Sequence, residues 1–599
     1  MIPRSTRGDH QSPRWTGIRS TIQSIVVISE RVISNPFIAY SVIIGLQLRV
    51  VWNFWKSVDL VYGDSSAYFV DAATWAHDLR DNLVWSPLYN MFWGTILVIT
   101  RDVYAAALTE RLLILFATSV MVLVIGRALL CATPGLLIAM WWVVTPNDHN
   151  FLYEVHPFGF LPPLLAVLAV VLFPRRIGIG IALGLLLIGA LLDRNELIIA
   201  FALVLIVAIS REIAEIRKKG FGKGVDYIIG YGIPLAVSSA IIYIAIIRSY
   251  ISLSGAWLGL KDKNELNLCQ SFAFAYQQQT PTKFTGNPFT QCTTLMQHLF
   301  GAATPSTLQA TMHNPAALAN FFLWNLHKLP AGIQVALFGS TSLSMNPSVL
   351  SVPQRPVLTL VLSILVLSLL IGAIVLAWSR GWLTLRERSP RVKWALVVVA
   401  SIALADVAAG VFSSPLPEYL YGVTIAALIA IGWSVKVIAR SIGAVGILSV
   451  VAVLLVPIAF VFARSMYAPA PRPTLEVIRH LQLVQRLLQR PGSVLVSMNT
   501  TYANSGYELC NYLAEDYARH CTGTAFGTIE STTTTGRSLG RALRNAHASV
   551  LYADGTMVDD PKLKGLLSSR HAGWRQIAHG SGSDGPWSVI VPLSHVAPK

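Results

Sequence analysis

Four aspartates, Asp64, Asp71, Asp78 and Asp81, fall between Leu60 and Tyr89, in LVYGDSSAYFVDAATWAHDLRDNLVWSPLY, together with Tyr62, Tyr68, Trp75 and Trp85. A hydroxyl is a poor nucleophile, and a carboxylate within hydrogen-bond reach can take its proton as the oxygen attacks carbon. Asp64 suits that role, because it follows the first long apolar run, and Gly63, Ser65 and Ser66 leave space around it for a substrate. Asp71, seven residues on, shares a helical face with it if residues 66–79 form a helix, and is read as a substrate-binding group. Tyr62, Tyr68 and Trp85 offer rings on which a sugar can stack. A run of acids is more often a solvated face, the reading kept for Asp78 and Asp81.

Other chemistry-bearing residues are scattered. The turn LLDRNEL carries Asp193, Arg194 and Glu196, where Arg194 can hold a phosphate and Glu196 can orient it; the bland alternative is that the three charges pair with one another. NDHNFLYEVHPFGF brings Asp148, His149, Glu154 and His156 together; the spacing matches no specific ligand motif, so a substrate rim is preferred over a divalent metal site. His156 is a candidate hydrogen-bond donor to a phosphate, and Glu154 a substrate contact. Lys328 and Arg355 are further phosphate candidates, although basic residues at span ends commonly snorkel to headgroups. Asp406 lies within an apolar run, where an ionisable group is costly, and Glu418-Tyr419 opens the next one, with Tyr419 a substrate candidate.

The elements that must position these residues are membrane spans. A chain of 599 residues with 54% hydrophobic and 13% charged residues is too apolar for a soluble globular protein. The net charge of +16 resides mainly in short connections between apolar runs, so it points to membrane lipids and not to nucleic acid. Windows of about 20 residues predict about eleven spans. They cover roughly 37–55, 103–130, 135–144, 158–173, 177–192, 197–209, 228–247, 357–378, 395–412, 419–435 and 442–462, after an amphipathic segment at 18–33. With Arg4, Arg7, Arg14 and Arg19 cytoplasmic and no removable signal peptide, the count puts both basic connections, Arg211 to Lys223 and Arg380 to Lys393, inside.

The same count puts outer loops 56–102 and 249–355 and the tail outside. The expected organisation is a basic N-terminus at 1–36, a membrane domain at 37–463 and an extracytoplasmic α/β domain at 464–599, hinged at Pro469 to Pro473. The expected location is a bacterial-type inner membrane. Five cysteines are too few for a disulfide scaffold, but Cys269 with Cys292 and Cys510 with Cys521 then share outer segments and can pair, Cys510 being equally suited to pack as a small hydrophobe.

An inside N-terminus, one span, an outer loop opening with Asp64, and Trp85-Ser86-Pro87-Leu88-Tyr89 before re-entry resemble the GT-C glycosyltransferases, nearest the protein O-mannosyltransferase-like and aminoarabinose transferase-like members. The resemblance covers the order of elements over about the first 210 residues. It implies a polytopic α-helical GT-C-like fold, a polyprenyl-phosphate sugar donor, a glycan, lipid or protein acceptor, and Asp64 as general base of an inverting transfer. LLDRNEL resembles the family's Arg-Pro-Glu element with Asn195 for Pro, and Glu418-Tyr419 stands where relatives carry Arg-Tyr. Many members have Asp-Glu where this chain has Asp64-Ser65, which removes a second acid and with it a usual partner for a metal.

Three alternatives remain from the residues themselves. A polymerase or ligase using polyprenyl-diphosphate glycans would rely on outer arginines, which are sparse. A transporter or flippase would show internal repeats, and none is found. A non-catalytic envelope scaffold would tolerate neutralising Asp64 and Arg194 together. The tail carries no Gly-rich phosphate loop in a strand-to-helix context, so it is read as a binding or positioning module for the acceptor.

Overall fold

The computed structural model describes residues 32–52, 65–144, 155–220, 224–338, 356–380, 389–442, 493–498, 521–525, 535–568, 573–582 and 585–593, with isolated positions at 451, 455 and 458. The helices follow in chain order: α1 (Pro36–Val50), α2 (Ser65–Asp78), α3 (Pro87–Thr100), α4 (Val103–Leu129), α5 (Ala132–Val144), α6 (Val155–Gly159), α7 (Leu161–Leu172), α8 (Arg175–Leu192) and α9 (Leu197–Lys219). Next come α10 (Gly224–Arg248), with a π-helical turn at Ile228–Gly232, and α11 (Leu253–Gln279), α12 (Pro288–Phe300), α13 (Thr307–His313) and α14 (Pro315–Phe338). α15 (Pro356–Ser379), α16 (Pro390–Phe412) and α17 (Tyr421–Ile442) follow, and the isolated helical position Ile458 also belongs to the bundle core. Helix starts follow local chemistry: α1, α3, α12, α15 and α16 begin on proline, whose fixed φ suits the first turn. Asn35 and Ser389 accept backbone N–H bonds as caps of α1 and α16.

Among the described residues eight helical stretches are long and apolar enough to cross a membrane, and α1 and α5 are shorter apolar helices. The chain is a multi-pass membrane protein. The outward faces of α9, α10 and α15 expose Ile198, Ile206, Val237, Ile241, Leu360 and Ile364, a placement that only a lipid environment makes favourable. Inside, Trp141, Trp142 and Trp394 fill the space between helices, and Trp141 Nε1 donates to the Leu337 carbonyl at 2.8 Å.

Two expected outer loops are helical. The first contains α2, close to its predicted 66–79, and also the apolar α3, which packs along α2 with Gly94 against the Ala72 carbonyl. The second contains α11 to α14, and the last helix of the set drives Val335 to Phe338 into the bundle core. The span expected at 197–209 is longer than its apolar run, continuing to Lys219. The predicted Cys269–Cys292 disulfide joins α11 to α12, with Cα atoms 5.4 Å apart. Cys510, the span expected at 442–462 for the most part, and nearly all of the segment 18–33 lie outside the described residues.

The tail forms a sheet of β1 (Ser493–Met498), β2 (Cys521–Ala525), β3 (Ala548–Asp554), β4 (Trp574–Gly582) and β5 (Gly585–Pro592), in the order β2-β1-β3-β5-β4. The first three strands are parallel, and β5 runs antiparallel to β3 and β4. Helices α18 (Gly536–Asn545) and α19 (Pro561–Ser568) cover one face through Leu539, Leu543, Leu563 and Leu566. The expected α/β character is therefore present. Alternate strand residues on the other face, Leu495, Val550, Tyr552, Val589 and Val591, belong to one hydrophobic cluster with Tyr68, Phe69 and Trp93 of α2 and α3.

Candidate functional site

The hairpin of α2 and α3 is locked by its connection, residues 79–86. Leu79 and Ser86, with φ of 51° and 43°, bracket it in the left-handed region that non-glycine residues seldom enter. Such strain persists only where surroundings over-determine the backbone. Here they do: Asp81 N–H donates to the Arg248 carbonyl at 3.2 Å, Tyr250 N–H returns to the Asp81 carbonyl at 3.1 Å, and Asn90 Nδ2 donates to the Trp85 carbonyl at 2.6 Å. Leu83 plugs into a cluster with Ile188 and Leu192 of α8 and Ile242 and Ala245 of α10.

This lock buries two of the four acids. Asp71 is 4% exposed and accepts from the Tyr250 hydroxyl at 2.8 Å. Burial pushes its carboxyl up to about 6, against the pull of Tyr250, Asn82 and the Lys263 charge. Asp81 is fully buried; its Oδ1 accepts from Asn82 N–H at 2.6 Å and Asn90 Nδ2 at 3.2 Å, and its Oδ2 has no partner. Burial pushes it up to about 8, with Asn82 and Asn90 opposing and the Asp71 charge adding. The sequence reading of Asp81 as a solvated acid is corrected here, since the Arg248–Tyr250 backbone closes over it.

Because the folded carboxyl of Asp81 titrates above its ordinary value of 3.8, the fold favours the protonated form. Its contribution to stability is full below the unfolded value and is lost as pH rises through about 8. Asp81→Asn, neutral at every pH, is therefore expected to match the wild type in thermal midpoint near pH 4. By pH 8 to 9 it should be the more stable by up to roughly 5 kcal/mol, the equivalent of a midpoint moved by about four pH units. Thermal melts in detergent across that range check this, and a difference that does not grow with pH defeats it.

The turn after α8 places Arg194 beside the hairpin. Its Nε donates to Glu196 Oε1 at 2.5 Å, its Nη2 pairs with the same carboxylate, and its Nη1 donates to the Glu418 carbonyl at 3.1 Å. Its guanidinium carbon lies 5.3 Å from the centre of the Tyr419 ring, and the His156 ring meets the Tyr419 edge at the same separation. A Cβ on Gly159 would collide with Arg194 Cδ, so α6 ends on a residue with no side chain to obstruct the arginine. Glu418, in the 3-10 turn Pro417–Tyr419, is pushed up to about 6 by burial, with the Arg194 charge pulling against it. The expected Arg194 to Glu196 pairing is thus present, and Tyr419 joins it. Asp193 makes no direct pair with it, although the Arg194 charge acts on its buried carboxyl.

One cation escaped the sequence reading. Lys263 of α11 reaches back over the first hairpin, its Nζ 4.0 Å from the centre of the Trp85 ring and 3.5 Å from the Val84 carbonyl. Its charge bears on Asp71 and Asp193. Lys263 sits in the ordinary-looking LKDKNEL, and nothing local distinguishes it from a surface lysine. The ammonium also occupies one approach to Trp85, while Tyr68 meets that ring edge-on at 5.7 Å and is itself buried, which narrows the surface these rings offer for stacking.

Other expected residues are elsewhere or outside the described set. Asp64, Tyr62, Glu154 and Arg355, with Asp148 and His149, fall outside the described residues; Asp64 immediately precedes α2. Lys328 lies 4.6 Å from the Trp324 ring on its own helix. Asp406 Oδ2 accepts from Gly422 N–H at 2.6 Å, so it caps the start of α17, a structural use for an ionisable group in a span. Among the described residues no group of three or more His, Cys, Asp or Glu side chains is arranged to hold a metal ion.

No protein-family model matches the chain, and no curated relative does. Among solved structures, the chain is similar to the Archaeoglobus fulgidus oligosaccharyltransferase in complex with Zn and sulfate, at 11% identity over 87% of this chain and 68% of that one, with a TM-score of 0.42. The apo form of the same protein matches at 10% identity over 87% and 70%, with a TM-score of 0.41.

Proposed function

We propose that the chain is an integral-membrane glycosyltransferase that moves a sugar from a polyprenyl-phosphate donor to an extracytoplasmic glycan, lipid or protein acceptor. The observation that carries this reading is the meeting, at one end of the helix bundle, of a pinned Arg194 and of Lys263 with the carboxyl-bearing hairpin that follows Asp64. Cations at helix ends stand level with lipid headgroups, where the phosphate of a lipid-linked donor lies. A single displacement there balances simply. The acceptor oxygen bonds to the anomeric carbon as the bond from that carbon to the phosphate oxygen breaks, its proton passes to Asp64, and the lipid phosphate leaves with an extra negative charge. Arg194, with His156 beside Tyr419, would hold that charge as it develops. Asp71, fixed by Tyr250, would hydrogen-bond the sugar or acceptor, and Tyr62, Tyr68, Trp85 and Glu154 are the further substrate contacts of this reading.

Asp64→Asn tests the role of the base. Transfer of radiolabel from a panel of polyprenyl-phosphate sugars, with protein in lipid nanodiscs and membrane extract as acceptor, is expected to fall by about 10²–10⁴. The thermal midpoint should be unchanged. Wild-type turnover by the variant removes Asp64 from the mechanism, and failure of the wild type with every donor of the panel removes the donor class.

A further inference from the structure

The carboxyl of Asp193 has a use that its neighbours do not explain. It follows the last residue of α8, between Arg194 in sequence and Ser86 and Lys263 in space. Both its oxygens are cut off from solvent and meet no donor in good hydrogen-bond geometry, the Ser86 hydroxyl alone lying close enough to act on the carboxyl. The guanidinium one residue away is directed elsewhere, to Glu196 and to the Glu418 carbonyl. The Ser86 hydroxyl donates to the Asp193 backbone carbonyl at 3.3 Å. A buried carboxylate with no better partner than a Ser86 hydroxyl turned to the backbone carbonyl carries a large desolvation cost, whereas a carboxylic acid in the same place carries far less and has a proton to give.

We propose that Asp193 works as an uncharged carboxylic acid that donates a hydrogen bond to an anionic oxygen of the ligand drawn in by Arg194 and Lys263. The proposal rests on the lipid-phosphate reading above and adds to it a donor that a carboxylate could not supply, because two like charges would repel at that distance. The titration of the group agrees. Burial pushes it up to about 8, the Glu196 charge adds to the rise, and Arg194, Ser86 and Lys263 oppose it. Arg194 and Glu196 face it from its own turn and Lys263 from α11; His156 of α6, Glu418 and Tyr419 of the 3-10 turn, and Asp406 of α16 surround Arg194 on the far side. Asp193 is a positioning group for the phosphate, and no bond is made to it.

The test measures binding of undecaprenyl phosphate to the full chain in nanodiscs between pH 7.5 and 9.5, a window above the second phosphate ionisation of about 6. Wild-type affinity is expected to fall by about tenfold per pH unit above the Asp193 midpoint. Asp193→Asn, which keeps a neutral donor of the same shape, should bind as the wild type does at pH 7.5 and show no such fall. Asp193→Leu should bind about tenfold or more weakly at every pH while keeping its thermal midpoint within a few degrees. A wild-type affinity flat across the window, with Asp193→Asn weaker than wild type at pH 7.5, makes the group a carboxylate counter-charge to Arg194 and overturns the proposal alone. Absence of wild-type binding at any pH overturns the lipid-phosphate reading and the role of Asp193 with it.

Discussion

Arg194→Lys is expected to lose transfer nearly as completely as Arg194→Ala, by about a hundredfold or more. The charge survives the lysine substitution, but the fork does not. Arg194 spends Nε and Nη2 on Glu196 and Nη1 on the Glu418 carbonyl while lying against Tyr419, so three partners fix one planar group. An ammonium is a point charge on a flexible stem and can satisfy at most one of these directions well. The alanine variant should also lower stability, because Glu196 and the Glu418 carbonyl lose their shared donor. With the Arg194 side chain 12% and Glu196 21% exposed, the loss should lie below the 3–5 kcal/mol typical of breaking a fully buried pair, at about 2 kcal/mol. Transfer and thermal midpoints measured on both variants decide between these. A lysine variant with wild-type transfer would mean that charge alone suffices and that the geometry of the turn is incidental.

The spans were readable because apolar runs and basic connections are local properties, which is why α8, α15 and α16 lie close to where the sequence predicts them. The helix α2 was readable for the same reason. What the sequence did not disclose is what long-range packing decides. Tyr250 and Asp71 meet across 179 residues, Lys263 and Val84 across the same separation, and Arg194 and Glu418 across 224. Asp81 illustrates the physical reason. Its neighbours Arg80 and Asn82 are polar, so locally it is a surface acid, and only the backbone of 248–250 laid over it makes it a buried one. Arg194 was found from the sequence because its turn is tight and its charges adjacent. Lys263 was missed because a lysine on an amphipathic helix looks the same whether it meets water or an indole. The apolar α3 was hidden differently: at 14 residues it is too short to span, and hydropathy alone could not separate it from the span that follows.

The hairpin's own packing yields the second large effect. Gly94→Ala is expected to lower stability by about 1–3 kcal/mol, toward the upper figure. The new methyl would collide with the Ala72 carbonyl oxygen and lie 2.8 Å from Trp75 Cδ1. The first obstacle is backbone, so no rotamer change relieves it, and α2 and α3 must part to make room. Asp71 precedes Ala72, and its bond to the Tyr250 hydroxyl depends on that helix staying where it is. Transfer should therefore fall along with the thermal midpoint, unlike a defect placed far from the hairpin. Gly45→Ala supplies the contrast, since a methyl there meets nothing within 4 Å. In the middle of α1 it should stabilise by about 0.5–1 kcal/mol through helix propensity alone, with transfer unchanged. Thermal melts and transfer assays on the two variants separate the cases. Equal midpoints would show that the α2–α3 contact yields without cost, and then the hairpin is not the rigid support for Asp71 that its close packing implies.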